Sequence, residues 1–422
     1  MTESNGWIHG DHQANVRRTL AAVEHLEDRV SAWAHLDRSG LLAQADRLGQ
    51  DNQPSAEQGL LRGLPLGVKD TIDVASMPAE RGSAAFAGRR PEHDAEVVRR
   101  ARAAGALIAG KTVTTELAVT FPGPTTNPHD SARTPGGSSS GSAAAIAAGM
   151  VPLALGTQTI ASTLRPASFC GVVGFKPTHG RVPIDGALSM SPEVDTIGLL
   201  GADATLVSAL FSAVADSVRD VSPMPRHPVV GVLRTPWWHH AEPSSRAAVD
   251  DTCDALAETG AQLRQVDLDA ELVAVIPAHW DVVRSGIARQ MGAVARAQPE
   301  LLSPELRQVV DLGAAIDRRV LEGARRTLRD LATTVADRLG ECDVVVTPCV
   351  VGEAPRGLTW TGDPIFCQPW SAFGFPAISL PLAVGSAGLP IGVQFVAAPD
   401  RDEHLLAFAR AWMERDPRMA RR

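Results

Sequence analysis

Apolar residues recur every three or four positions over residues 16–50, a spacing that predicts helices with one buried side. Ser39 and Gly40 interrupt the pattern, so we expect a pair of helices that covers a sheet. The predicted buried positions are Leu20, Val23, Leu26, Val30 and Trp33 before the break, and Leu41, Leu42, Ala45 and Leu48 after it.

Short apolar runs alternate with helical patterns along the rest of the chain. The runs 63–74, 105–111, 227–233 and 262–268 predict strands, while 94–104, 205–218, 244–260 and most of 270–340 predict helices. Such alternation is typical of an α/β protein. Since no repeat and no shift in composition marks a boundary, we predict one large α/β domain over residues 1–422.

Hydroxyl groups are concentrated in two loops of the stretch 133–178. The first loop, Gly-Gly-Ser-Ser-Ser-Gly-Ser at 136–142, leads into an Ala-rich helix, and the second holds Ser162 in a turn after an apolar strand. Unpaired N–H groups at a helix N-terminus favour negative charge. Two serine loops joined by one helix can face each other at the same edge of a sheet.

A serine hydroxyl is a weak nucleophile and needs a base. The stretch 133–178 contains no His, and no Gly-x-Ser-x-Gly elbow surrounds Ser162, which disfavours a Ser-His-Asp triad. A lysine that burial keeps neutral can serve as the base instead. Lys69 is the candidate, because it is a single lysine in the apolar run 63–69.

Two alternatives to a catalytic role for Lys69 remain. Lys69 could be an ordinary lysine paired with Asp70 or Asp73 at the end of a strand. Lys111 also follows an apolar run and could compete for the role.

Four motifs follow one another in a recognisable order. They are Gly-Val-Lys-Asp at 67–70, Gly-Gly-Ser-Ser at 136–139, Gly-Thr-x-Thr-x-x-Ser at 156–162, and Phe-Cys-Gly-Val-Val-Gly-Phe-Lys-Pro-Thr at 169–178. Together they resemble the amidase signature family. The segments 94–111, 343–348 and 388–395 are also similar to family segments, so the resemblance covers about residues 15–415.

The resemblance implies a mixed central β-sheet flanked by helices and a Ser-cisSer-Lys triad. In that triad Ser162 is the nucleophile, Ser138 is the bridging serine with a cis peptide bond, and Lys69 is the base. The oxyanion would be held by the backbone N–H groups of Thr159, Ile160, Ala161 and Ser162. The N-terminal helices (16–50) would precede a catalytic core (60–225), an insertion that shapes the pocket (226–340) and a return to the sheet (341–415).

The turn before the nucleophile departs from the family pattern. Family members usually carry Asp-Thr-Gly-Gly where residues 158–161 read Gln-Thr-Ile-Ala, and Arg where this chain has Leu164, with Arg165 one position later. A subset of amidases resembles this Gln-Thr-x-x-Ser-x-x-Arg-Pro form. Because a Cβ in place of glycine can strain a turn, we expect Ile160 and Ala161 to distort it or to fill the acyl pocket.

Composition limits the partners and the compartment. The net charge of −8, without a block of like charges, argues against nucleic acid or an anionic membrane as the main partner. The five cysteines lack Cys-x-x-Cys spacing, which favours a reduced, cytoplasmic protein without a metal. The polar N-terminal residues predict no signal peptide. His239 and His240 are adjacent and predict no metal site.

Three functions remain after these arguments. The first is an amidohydrolase without a cofactor, acting on a small-molecule or linear non-peptide amide, ester or carbamate through a Ser162 acyl-enzyme. The second is an ammonia-supplying component of a transamidation complex, and the third is a non-catalytic relative that acts as a binding protein. A homodimer is left open.

Overall fold

The computed structural model describes residues 3–4, 6–8, 10–50, 59–119, 121–219 and 225–415. Its strands are β1 (Glu3–Ser4), β2 (Trp7–Ile8), β3 (Trp33–Leu36), β4 (Pro65–Lys69), β5 (Leu107–Thr112), β6 (Leu153–Gln158), β7 (Val173–Lys176), β8 (Thr196–Gly201), β9 (Val229–Val232), β10 (Gln262–Gln265), β11 (Val344–Pro348), β12 (Ala377–Val384) and β13 (Pro390–Val396). Within the described residues, eleven of them form one sheet in the order β10-β9-β11-β13-β12-β7-β8-β6-β4-β5-β3.

Helices separate most of these strands along the chain. They are α1 (His12–Val30), α2 (Arg38–Gln50), α3 (Glu96–Ala103), α4 (Ser140–Ala147), α5 (Leu164–Cys170), α6 (Ala204–Val214), α7 (Pro243–Glu258), α8 (Asp269–Ala297), α9 (Pro304–Ala314), α10 (Arg318–Leu339), α11 (Gln368–Ala372) and α12 (Asp402–Arg415). Among the described residues, none of the helices has the length and apolar character needed to cross a membrane.

The sheet mixes parallel and antiparallel pairs. Strand β4 lies between β5 and β6 and is parallel to both. The pairs from β6 through β8, β7, β12 and β13 to β11 are all antiparallel, and β9 is parallel to β11 and β10. Parallel neighbours need crossover connections, which helices such as α3 and α4 supply. The predicted α/β fold with a mixed sheet flanked by helices is therefore confirmed.

Helices cover both faces of the sheet. Leu107 and Ala109 of β5 belong to a hydrophobic cluster with α1, α2 and α4. Ile108, between them, belongs to a larger cluster with α3, α6, α8 and α12. Successive side chains of a strand point to opposite faces, so the two clusters lie on the two sides of the sheet.

One expectation for the N-terminal region is wrong. The spacing predicts Trp33 on the buried side of a helix, but α1 ends at Val30, and Ser31 follows in the left-handed conformation. Trp33 instead begins the edge strand β3, where it pairs with Thr112 of β5. The apolar period continues across this break, so spacing alone does not reveal the end of the helix.

Gly141 allows the first serine loop to lie against the end of β5. A Cβ at this position would overlap the carbonyl oxygen of Ala32 and the backbone nitrogen of Val113. The Gly141 N–H instead donates to the Val113 carbonyl at 3.0 Å. This close approach fixes the start of α4 beside the strands that carry the two candidate lysines.

The close approach predicts opposite effects for two helical glycines. Gly141→Ala should lower the free energy of unfolding by about 1–3 kcal/mol, because its Cβ meets backbone that cannot move aside. Gly323→Ala in α10, where a Cβ meets nothing within 4 Å, should raise it by about 0.5–1 kcal/mol through helix propensity. Denaturant unfolding of both variants measures the two effects. Equal stabilisation by both would contradict the packing at Gly141.

Candidate active site

The sheet brings the motif segments together at one edge. Lys69 is the last residue of β4, and Val68 before it pairs with Leu155 of the parallel neighbour β6. Strand β6 ends at Gln158 and continues into the turn 159–163, which carries Ser162. Because both strands are parallel, their carboxyl ends place Lys69 beside the start of that turn.

Lys69 is fully buried and contacts hydroxyl groups. Its Nζ donates to Ser138 Oγ at 2.7 Å and to Thr157 Oγ1 at 2.8 Å. Burial lowers its pKa well below the usual value, while the charge of Asp195 acts in the opposite direction. The arrangement therefore favours the neutral amine.

The alternative in which Lys69 pairs with a neighbouring carboxylate is wrong. Asp70 instead forms an ion pair of 3.1 Å with Lys111, and Asp73 forms one of 2.6 Å with Arg89. The first of these pairs also accounts for Lys111, which is buried as deeply as Lys69 but has an acidic partner. Of the two lysines, only Lys69 lacks a carboxylate within ion-pair distance in the described part of the chain.

Ser138 contacts the lysine, and its neighbour Ser139 contacts the second serine loop. The Gly137–Ser138 peptide bond is cis, as the resemblance implies. The Ser138 carbonyl accepts the Thr115 N–H at 3.3 Å, and Ser139 N–H donates to the Ser162 carbonyl at 3.1 Å. The two serine loops are thus joined through their backbones.

The turn that precedes Ser162 is not strained. Neither Ile160 nor Ala161 is among the described non-glycine residues with positive φ, so the expected distortion of the turn is wrong. The Ile160 carbonyl accepts the Ser371 hydroxyl at 2.7 Å. Within the described residues, no protein acceptor is bonded to the N–H groups of residues 159–162, which leaves them available to a ligand.

Gln158 fixes the other side of this turn, a role that the sequence did not reveal. Its Oε1 accepts the N–H groups of Thr163 and Leu164 at 2.9 and 3.0 Å, which caps the start of α5. Its Nε2 donates to Ser371 Oγ at 2.9 Å. A side-chain amide can accept and donate hydrogen bonds at the same time, so Gln158 both caps α5 and binds Ser371.

Arg165 is a second buried anchor. Its guanidinium donates to the carbonyls of Gly137 and Gly362 and to the hydroxyl of Thr361. Burial lowers its pKa to about 10. Arg165 thereby connects the peptide unit before Ser138 with the loop around residue 361.

Asp195 was also missed by sequence reasoning. Its buried carboxylate accepts the Thr159 hydroxyl at 2.6 Å, the Ser189 hydroxyl at 2.8 Å and the Ser191 N–H at 2.8 Å. Burial raises the pKa of this carboxyl. Asp195 holds the Thr159 end of the turn, although nothing in the local pattern around 191–195 signals such a contact.

A cavity of about 290 Å³ opens in front of Ser162. Most of its lining is apolar, and the apolar side chains include those of Ile160, Met190, Trp280, Val283, Val309 and Trp360. Ser162 is 9% exposed, whereas Lys69 and Ser138 are 0% and 1% exposed. A molecule in the cavity therefore meets Ser162 and not the lysine.

Comparisons with known proteins agree with this architecture. The amidase family model matches residues 14–406, and the chain belongs to that family. A glutamyl-tRNA(Gln) amidotransferase subunit of Symbiobacterium thermophilum is 31% identical, with 94% of this chain and 91% of the relative covered.

Solved structures show the same relationship. The crystal structure of an amidase matches with a TM-score of 0.86 at 31% identity, covering 96% of this chain and 95% of the other. The structure of 6-aminohexanoate cyclic dimer hydrolase in complex with substrate matches with a TM-score of 0.85 at 26% identity, covering 98% and 95%. The resemblance inferred from the four motifs is confirmed.

The role of Gln158 gives a prediction that separates stability from activity. Gln158→Ala leaves two N–H groups at the start of α5 without their acceptor, so the free energy of unfolding should fall by about 1–2 kcal/mol. Because the same residue holds the turn that carries Ser162, the kcat for amide hydrolysis should fall as well. Asp203→Ala is the matched control, because Asp203 caps α6 through the Leu206 N–H at 2.8 Å and does not line the cavity. It should lose similar stability with little change in kcat. Thermal unfolding and steady-state kinetics of both variants would show whether Gln158 supports only the fold.

Proposed function

We propose that this protein is an amidohydrolase that cleaves a small-molecule amide through a Ser162 acyl-enzyme. The observation that carries the proposal is the fully buried Lys69, whose Nζ contacts Ser138 Oγ at 2.7 Å and has no carboxylate partner in the described residues. A neutral amine beside a serine pair can remove a proton from the nucleophile. The family match supports chemistry at a carbon–nitrogen bond.

The proposed reaction begins with the transfer of two protons. Ser138 Oγ takes the proton of Ser162 Oγ as it passes its own proton to Lys69 Nζ, and Ser162 Oγ attacks the amide carbon. The N–H groups of residues 159–162 stabilise the oxyanion, an effect worth about 3–4 kcal/mol for one donor in comparable sites. The C–N bond then breaks, and the relay returns a proton to the leaving nitrogen.

Water completes the cycle. It attacks the ester carbonyl of the acyl-enzyme as the relay again moves one proton to Lys69. Collapse of the second tetrahedral intermediate releases the carboxylic acid, and Ser162 regains its proton from Ser138. The net reaction adds one water across the amide bond and needs no cofactor. An ester or a carbamate would follow the same course, because its carbonyl carbon is also attacked by Ser162.

The second candidate function is the supply of ammonia to a partner enzyme. It is supported by the similarity to a glutamyl-tRNA(Gln) amidotransferase subunit over 94% of this chain. The same relay would then act on a primary amide, and a partner would use the ammonia. The third possibility, a non-catalytic relative, is less well supported, because neither Ile160 nor Ala161 has the positive φ that a strained turn would require.

The proposed setting of the protein is the cytoplasm, and the proposed reaction does not require an assembly. All five cysteines are free and buried, which supports a reduced, cytoplasmic setting. A homodimer is consistent with the proposed reaction but is not required for it, because the candidate catalytic groups come from one chain.

Labelling and mutation test the nucleophile and the base. Ser162→Ala should abolish hydrolysis, and a fluorophosphonate should label Ser162, as read by intact mass and peptide mapping. Lys69→Ala should lower kcat by roughly 10²-fold or more, since the relay loses its base. Ser140→Ala, at the first residue of α4 and with its hydroxyl donated to the Val113 carbonyl at 3.4 Å, should keep its activity. A label on another serine of the active protein would contradict the assignment of Ser162 as the nucleophile.

The pH profile tests the protonation state of Lys69. Burial lowers the pKa of Lys69, and the relay needs the neutral amine, so kcat/KM should rise with pH as one group loses its proton. Asp195 raises that pKa, so Asp195→Asn should lower it further and move the rising limb to lower pH. Asp250 is a half-exposed carboxyl paired with Arg234, so Asp250→Asn should leave the limb in place. A flat profile in the parent protein from neutral to acidic pH would rule out lysine as the base.

A further inference from the structure

The cavity in front of Ser162 carries almost no charge. Among the described residues that line it, the one ionisable side chain with a permanent charge is Arg165; the others are apolar or carry hydroxyl groups. No Asp, Glu, Lys or His lines it within that part of the chain. An anionic substrate group would therefore depend on Arg165 alone for a counter-charge, and a cationic group would have none among these residues.

The guanidinium of Arg165 already donates hydrogen bonds to other protein groups. Its two terminal nitrogens donate to Gly137, Gly362 and Thr361. Its Nε is buried, so a molecule in the cavity cannot reach that nitrogen. An α-carboxylate in the cavity would have to share a guanidinium that already donates to three protein acceptors, and an α-ammonium group would find no carboxylate among the described lining residues. Burial of such unpaired charges is strongly unfavourable.

The walls are shaped for an apolar group. Trp280 of α8 lines the cavity, and the guanidinium of Arg284 stacks over its ring at 5.0 Å. Trp360, in the loop before α11, also lines the cavity and is 57% exposed, so it forms the rim. Ile160, which stands where the family pattern has glycine, adds an apolar surface directly beside the nucleophile. An engineered apolar cavity of about 150 Å³ holds one benzene ring, so 290 Å³ leaves room for a ring and a short linker.

Hydrogen bonds fix the wall that α9 supplies. The carboxylate of Glu116 accepts the N–H of Ser303 at 3.2 Å, at the N-cap of α9. It also accepts the Ser83 hydroxyl at 3.1 Å. Val309 of α9 and Val119 both line the cavity, and the Glu116 carboxylate links the two segments that carry them. These hydrogen bonds favour an apolar surface that does not depend on a bound substrate.

We propose that this site takes neutral amides with an apolar acyl group, of the size of one aromatic ring or a short alkyl chain, and rejects glutamine. The inference rests on the proposed function, since it names the substrate class of the same site. It separates this chain from an ammonia supplier that would use glutamine, even though a relative named as part of an amidotransferase is 31% identical to it.

Primary amides allow one assay to test the proposal, because each releases ammonia. Pentanamide has the carbon chain of glutamine with no ammonium group and a methyl group in place of the carboxylate. We expect kcat/KM for pentanamide and phenylacetamide to exceed that for glutamine by about 100-fold or more. Equal or faster turnover of glutamine would overturn the proposal.

A pair of tryptophan variants tests the wall. Trp280→Ala should raise the KM for phenylacetamide by about 10-fold or more and should change acetamide hydrolysis little. Trp238→Ala is the matched control, because Trp238 is also partly buried under an arginine, Arg234, at 5.4 Å but does not line the cavity. A larger effect of Trp238→Ala on phenylacetamide would contradict the assignment of the wall.

Binding to the Ser162→Ala protein distinguishes failure of this inference from failure of the proposed function. Calorimetry should detect phenylacetamide and not glutamine, whether or not the parent protein is a hydrolase. Acetamide hydrolysis without any preference for pentanamide over glutamine would defeat the substrate class alone. Absence of hydrolysis of every amide, together with absence of Ser162 labelling, would defeat the catalytic proposal and leave the binding result to decide the inference.

Discussion

The burial of Lys69 without a carboxylate partner is the constraint on which the candidate site depends. A lysine at the end of a central strand would normally keep its proton, but here the nearest acidic residues along the chain are engaged elsewhere. Asp70 pairs with Lys111 and Asp73 with Arg89. What remains for Lys69 is a pair of hydroxyl groups, on Ser138 and Thr157. Hydroxyls hold the amine in place without favouring its charged form as a carboxylate would.

The residues around Lys69 form two groups, one that makes up the proposed relay and its supports and one that lines the cavity. The proposed relay and its supports come from neighbouring strands and the turns that follow them, with Gln158, Arg165 and Asp195 holding the backbone. The walls of the cavity come from distant segments, chiefly α8, α9 and the loop near Trp360. A change of wall residues can therefore alter what fits without disturbing the groups proposed to react. This division is consistent with one family containing relatives named for different substrates.

Sequence reasoning reached the fold and the candidate residues because both depend on local signals. The alternation of strand and helix patterns predicted the α/β class, and the four ordered motifs pointed to Lys69, Ser138 and Ser162. It failed where the deciding partner is remote in sequence. The contact between Glu116 and Ser303 joins residues 187 positions apart, and the link from Asp195 to Thr159 has no periodic signature. The backbone angles at Ile160 were also beyond reach, because a family preference for glycine does not reveal whether the turn needs positive φ.

The depressed pKa of Lys69 also couples folding to the release of a proton. In the unfolded chain this amine has its ordinary pKa, and in the folded protein burial lowers it. Below the unfolded value, folding must therefore expel a proton, and the cost grows by about 1.36 kcal/mol for each pH unit until the folded pKa is reached. Lys176 is buried as well, and its pKa falls to about 7, so it adds a cost of the same sign. The interior that favours a neutral amine thus makes the fold less stable as the solution is acidified from alkaline pH. Evolution of a more strongly buried lysine would have to be balanced by stabilising contacts elsewhere in the sheet.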